Sequence, residues 1–220
     1  MSQAPTFLGS SIGKKVVMAL TGVILFGYVL GHMIGNLQVY LGPEALNHYA
    51  VVLRQIFHGW ALWIVRVLML VAVGLHIWAA TALTLESRRA RRVGYGEQKW
   101  KESTYASRTM RWGGVIIGLF VVFHILNLTT GTVHPGFVEG DVYHNFVAAF
   151  RNVPTSIVYM IAMIALGLHL RHGVWSMFQT LGVSHPRYIA MAKAAALLFA
   201  VIIVAGNLSF PIAVLAGFIR

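Results

Sequence analysis

Five stretches of this chain, at about residues 16–40, 60–85, 112–131, 155–179 and 189–218, are almost wholly apolar. Each is long enough to cross a bilayer core of roughly 30 Å, which takes a helix of about 20 residues. Backbone groups inside hydrocarbon must pair within their own segment, so runs of this length predict spanning helices. The composition agrees. With 58% hydrophobic and only 10% charged residues, and a mean hydropathy of +0.73, there is too little polar surface for a water-soluble domain. The expectation is an all-α, polytopic membrane protein with five transmembrane helices, forming one domain over residues 1–220. The first run lacks the short apolar core and small-residue cleavage site of a signal peptide and is read as a mature span.

Orientation follows from lysine and arginine. Lys14 and Lys15 precede span one; Arg88, Arg89, Arg91, Arg92, Lys99, Lys101, Arg108 and Arg111 fill the second connection; Arg187 and Lys193 lie between spans four and five. The opposite connections hold Arg54 and Arg151, offset by Glu44, Glu139 and Asp141. The positive-inside rule therefore predicts a cytoplasmic N-terminus and an outer C-terminus. The net charge of +11 becomes one basic cytoplasmic face rather than a sign of nucleic-acid binding. That face suits anionic lipid or the docking of a partner protein.

Residues 1–15 read as a short polar lead. In span one, Gly27, Gly31 and Gly35 recur every four residues beside His32. Such a stripe serves close helix packing, or lets a flat macrocycle lie against bare backbone. The outer connection after span one has Pro43 and Glu44 where a helix would start, then Leu46, Tyr49, Val52, Leu53 and Ile56 at helical spacing, which predicts a short interfacial helix. Segment 86–111, with Gly94, Tyr95 and Gly96, reads as a cytoplasmic loop. The outer connection between spans three and four reads as a loop, with turn signals at Pro135, Gly136 and Gly140. His48, His58, His134 and His144 are read as loop histidines. Asn207 and Pro211 suggest a kink in span five.

Four spans each carry an interior histidine: His32, His76, His124 and His169. At 1.5 Å of rise per residue, His32 and His124 lie roughly 24 and 18 Å from the cytoplasmic starts of their spans. His76 and His169 lie only about 14 to 15 Å from the cytoplasmic ends of theirs. The four sort into an outer pair and an inner pair. No Asp, Glu or Cys joins them inside the membrane to complete a tetrahedral zinc site, whereas two trans imidazoles complete the coordination of a haem and favour electron transfer over oxygen chemistry. The chain has no cysteine, so thioether attachment is excluded and the haems would be b-type. Arg66, an intramembrane charge near the outer pair's depth, needs an anionic partner, and a haem propionate would supply one. The missing cysteines also exclude an iron-sulfur cluster, and no dinucleotide-binding glycine motif is present. Electrons must therefore come from another subunit, and at the outer end a quinone is the expected mate.

Several motifs carry a family resemblance: H-x-x-x-N at His32 to Asn36, GPEALNHYA after span one, His76, R-x-M-R-W-G-G leading to His124, and H-x-x-x-G-x-W-S at His169 to Ser176. In these the chain resembles the di-haem cytochrome b membrane anchor of succinate:quinone oxidoreductases, the five-helix succinate dehydrogenase and fumarate reductase type. The resemblance implies that His32 with His124 ligates a distal haem b and His76 with His169 a proximal one. It implies menaquinone as mate, with Glu44 and Arg54 as candidates for its site. It also implies a flavoprotein subunit and an iron-sulfur subunit on the cytoplasmic side of a bacterial inner membrane, with surrounding lipid and room for a higher oligomer of the complex. Some menaquinol-oxidising relatives carry a membrane glutamate two residues before the fourth ligand. Gly167 stands there in this chain, which favours succinate oxidation over fumarate reduction. A cytochrome b subunit of another respiratory dehydrogenase, such as a hydrogenase or formate dehydrogenase, is the alternative within the same class. A transporter using histidine relays is the alternative outside it, disfavoured by the lack of intramembrane acids and of an inverted repeat.

Overall fold

In the computed structural model the residues described are 6–90, 105–182 and 185–220, with backbone alone over 105–108. They form seven α-helices: α1 (Ser11–Asn36), α2 (Pro43–Gln55), α3 (Trp60–Arg89), α4 (Tyr105–Leu128), α5 (Val142–Arg151), α6 (Val153–Thr180) and α7 (Pro186–Leu215). Of these, α1, α3, α4, α6 and α7 supply the five stretches long and apolar enough to cross a membrane. The basic residues Arg91, Arg92, Lys99 and Lys101, with Gly94, Tyr95 and Gly96, lie outside the described residues, as does the Arg108 side chain.

Helix ends leave backbone N–H groups without partners, and here local side chains cap them. Ser10 Oγ accepts from Gly13 N–H, Asp141 from His144 N–H and Asn152 from Thr155 N–H. Pro186 opens α7, where its missing N–H is no loss. Gly42 and Gly59, at φ +99° and +90°, make the turns that enter α2 and α3, conformations that side chains resist. At Pro211 α7 continues to Leu215 without a break.

The closest packing joins α1 with α3, α4 with α6, and α6 with α7, while α1 meets α6 more lightly. The molecule is thus two helix pairs side by side, with α7 against the second. Beyond the ends of α1 and α4, the short helices α2 and α5 cover one end of the bundle, termed the capped end. The sequence reading placed only turns before span four. Turns do run over residues 129–141, but Asp141 then starts α5 and Phe146, Val147 and Phe150 bury its apolar face. These side chains, with Leu46, Tyr159 and Phe210, form the main core cluster. Asn47 ties α2 to α5, its amide donating to Asp141 Oδ1 at 3.0 Å and its oxygen accepting from Tyr143 N–H at 2.9 Å.

The other end, termed the basic end, carries Lys14, Lys15, Arg88, Arg89, Arg111, Arg187 and Lys193. There Lys14 pairs with Glu86, which also accepts from Ser11 Oγ, pinning the start of α1 to the end of α3. Large apolar side chains of α3 and α4, such as Leu70, Val71, Leu119 and Val122, face outward, as lipid contact requires. The glycine stripe of α1 divides between its two readings. A side chain at Gly35 would run into the Tyr49 ring, whereas at Gly27 or Gly31 it would meet nothing within 4 Å. Gly35 therefore serves packing and the other two leave bare backbone.

Candidate functional site

The four span histidines meet in two pairs. His32 of α1 and His124 of α4 have ring centroids 5.8 Å apart with planes at 88°. His76 of α3 and His169 of α6 have centroids 6.3 Å apart at 57°. Each pair takes one ring from either side of the seam between the helix pairs. The level separation can be measured twice. On α1, eleven residues divide His32 from Thr21, which bonds to His76; on α6, ten residues divide His169 from Tyr159, which bonds to His124. The two spacings give roughly 15 to 17 Å.

One histidine of each pair is oriented by a hydroxyl from its closely packed neighbour helix. His76 Nδ1 lies 3.1 Å from Thr21 Oγ1, which donates at 2.7 Å to the Val17 carbonyl. His124 Nδ1 lies 3.2 Å from Tyr159 Oη, which donates at 3.3 Å to Asn127 Oδ1. Because both hydroxyl protons are committed elsewhere, both Nδ1 atoms act as the donors, and the lone pair sits on Nε2. The other two rings differ. His169 Nδ1 is buried without a hydrogen-bond partner. His32 Nε2 accepts from the Asn36 amide at 3.2 Å, so presenting that lone pair to a metal requires Asn36 to turn away or the ring to flip.

Two imidazoles on opposite sides of one metal ion, with bonds of about 2 Å and about 1 Å from nitrogen to ring centre, place their centroids roughly 6 Å apart. Both pairs match that spacing. Among the described residues no three His, Asp or Glu side chains come together to hold a bare ion. The pairs therefore suit a planar group that brings its own in-plane ligands. Bare backbone surrounds them: a Cβ at Gly22 would touch His76 Cε1 at 3.7 Å, one at Gly114 would touch His169 Cε1 at 3.8 Å, and one at Gly74, Gly118 or Gly173 would meet nothing within 4 Å. Gly114 of R-x-M-R-W-G-G and Gly173 of H-x-x-x-G-x-W-S thus belong to the bare backbone near the basic-end pair.

Arg66 lies ten residues before His76 on α3, hence roughly 15 Å towards the capped end and level with His32 and His124. Its guanidinium sits 4.9 Å from the Trp63 ring centroid. Glu44 and Arg54 stand exposed at opposite ends of α2, where they favour its dipole, and Arg54 also donates to the Ala50 carbonyl. The structure does not bring those two together. His134, read from sequence as a loop residue, is only 7% exposed and donates from Nδ1 to the Asn127 carbonyl at 3.2 Å. Sequence reasoning missed Thr21, Tyr159 and Asn127. A tyrosine facing inward from a long span and an asparagine three residues after His124 were the signals available.

Neither the curated proteins nor the solved structures searched contain a match to the chain. The family model of the succinate dehydrogenase/fumarate reductase transmembrane subunit matches residues 85–207. That stretch runs from the end of α3 into α7 and includes His124 and His169. It covers more than half of the 220-residue chain, which belongs to this family of succinate dehydrogenase/fumarate reductase transmembrane subunits.

Proposed function

We propose that residues 1–220 form a single cytochrome b domain that anchors a succinate dehydrogenase in a bacterial cytoplasmic membrane, and that it conducts electrons from an iron-sulfur subunit to menaquinone. The observation that carries this reading is the meeting of His32 with His124 and of His76 with His169 at two levels of the bundle. In this reading each pair holds one b haem, making the chain of the five-helix, di-haem type. A haem ligated by two imidazoles supplies one-electron transfer with no open coordination position.

The remaining roles fall to the chain's own side chains. Thr21 and Tyr159 hold the rings of His76 and His124 with Nε2 turned to the iron side. Arg66, level with the capped-end pair, has the depth to answer a propionate, a charge-assisted contact. The basic end, on the positive-inside rule, faces the cytoplasm, so the N-terminus lies inside and the C-terminus outside. Its lysines and arginines would dock the iron-sulfur subunit, which with the flavoprotein subunit completes the complex. The capped end then lies at the outer surface, where Glu44 and Arg54 are candidates for the quinone site.

Fumarate reduction would use the same residues in the opposite direction. Gly167 weighs against it, since it stands where some menaquinol-oxidising relatives carry a membrane glutamate, and a side chain there would run into the Val204 side chain of α7. The test is a pyridine haemochrome assay on the purified protein. Two b haems per chain are expected, and fewer than one contradicts the proposal. His169→Ala should remove one haem and leave the other, and loss of neither rejects the ligand assignment.

A further inference from the structure

Tyr159 occupies an unusual position for a polar side chain in a spanning helix, near the capped end of α6 and inside the main core cluster. It is 6% exposed, and its ring is clamped edge-on by Phe120 and Phe150, each 4.9 Å away, and by Phe123 at 6.0 Å. Packed rings of this kind lock a rotamer. The hydroxyl is therefore fixed between two groups of α4. It accepts from His124 Nδ1–H at 3.2 Å and donates to Asn127 Oδ1 at 3.3 Å. Asn127 is itself 3% exposed, and His134 holds it from the far side by donating to its carbonyl at 3.2 Å. The steps from His124 to Tyr159 and from Tyr159 to Asn127 point away from His124, and the bond from His134 meets them at Asn127.

We infer that Tyr159 is the positioning residue for His124, fixing its ring and making its Nε2 a stronger electron donor, so that it holds the potential of the capped-end haem down independently of the basic-end one. The inference rests on the reading of His124 as a haem ligand. An acceptor at the distal nitrogen of an imidazole raises the basicity of the coordinating nitrogen. A more basic ligand stabilises the oxidised metal, and hydrogen bonding around ligands is one of the levers that set haem potentials. Thr21 does the same for His76 through a hydroxyl backed by the Val17 carbonyl. His32 and His169 have no such acceptor at Nδ1 among the described residues. Each pair thus contains one tuned ligand, and the two tuning groups sit on different helices.

The experiment is a potentiometric titration of the purified whole complex, followed in the haem absorption bands. Tyr159→Phe keeps the clamped ring and deletes only the oxygen. It should raise the reduced-to-oxidised ratio of one haem at fixed potential by three- to tenfold, where tenfold is 59 mV for one electron. The second haem should not move. Thr21→Val should move that second haem and leave the first. In a His32→Ala background, which should keep only the basic-end haem, adding Tyr159→Phe should shift nothing. If Tyr159→Phe does not accumulate, Asn127→Leu should shift the same haem in the same direction by less, because the hydroxyl can still accept but is no longer polarised. Two haems with unmoved potentials in both variants overturn the inference while leaving the functional reading intact, as does a shift in the haem that Thr21→Val moves. A wild-type complex without two b-type waves overturns the functional reading and the inference together.

Discussion

The two ends of this bundle hold their histidines by different means. At the capped end, His124 lies against a stack of aromatic rings, with α5 closing over it and an Asn47 bridge fastening α2 to α5. At the basic end, His76 and His169 face glycines and a threonine, and an ion pair between Lys14 and Glu86 joins the helix ends. One end is rigid because large rings interlock. The other is close because side chains are missing. The same kind of histidine pair is thus built by filling space in one place and by omitting it in the other.

The sharpest way to break this comparison is at Phe150. Phe150→Ala removes a buried ring that packs on Tyr159 and Phe146 and should destabilise the protein by about 3 kcal/mol, read by thermal unfolding in detergent. Its spectroscopic effect should fall on the capped-end pair alone, and an equal response of the basic-end pair would show that the ends are not independent. A smaller effect is expected from Gly167→Leu, which forces a side chain into Val204 where α6 and α7 pack. Overpacking of this kind costs about 2 kcal/mol, and because Gly167 is two residues from His169 the disturbance should appear at the basic-end pair.

The smallest effect probes the cap. The His144 N–H, and then the Asn47 amide, hold the Asp141 carboxyl below its ordinary value of 3.8. A carboxyl whose pKa is lowered by folding stabilises the fold above its unfolded pKa and loses that contribution as the pH falls through the folded one. Asp141→Ala should lose the helix cap, about 1 kcal/mol, and should flatten the stability profile below pH 3.8. Neither histidine pair should respond.

Much of this was legible in the chain. Spanning helices have one physical signature, an unbroken apolar run, and all five were found to within a few residues at most ends. The pairing of the histidines followed from depth, because helix rise is fixed and adjacent spans run in opposite directions. The helix α5 was not found. Glycines and a proline dominate the residues before it, and a helix of only 10 residues does not stand out from such a loop without knowing that Asp141 caps it. Tyr159 and Thr21 were missed for a different reason. Their partners lie 35 and 55 residues away, and no local pattern marks a hydroxyl that reaches across to another helix. Lys14 was read as a topological charge, and its partner Glu86 lies farther still, 72 residues away.

The order of packing along the chain bears on how such a protein is made. α1 finds its closest neighbour in α3, and α4 in α6, each the next span to emerge, while α7 comes last and seals against α6. Each hairpin can be completed before the following one is synthesised, so no span waits for a remote mate during insertion. The seam between hairpins can close only afterwards, and with it the two imidazoles of each pair come within reach.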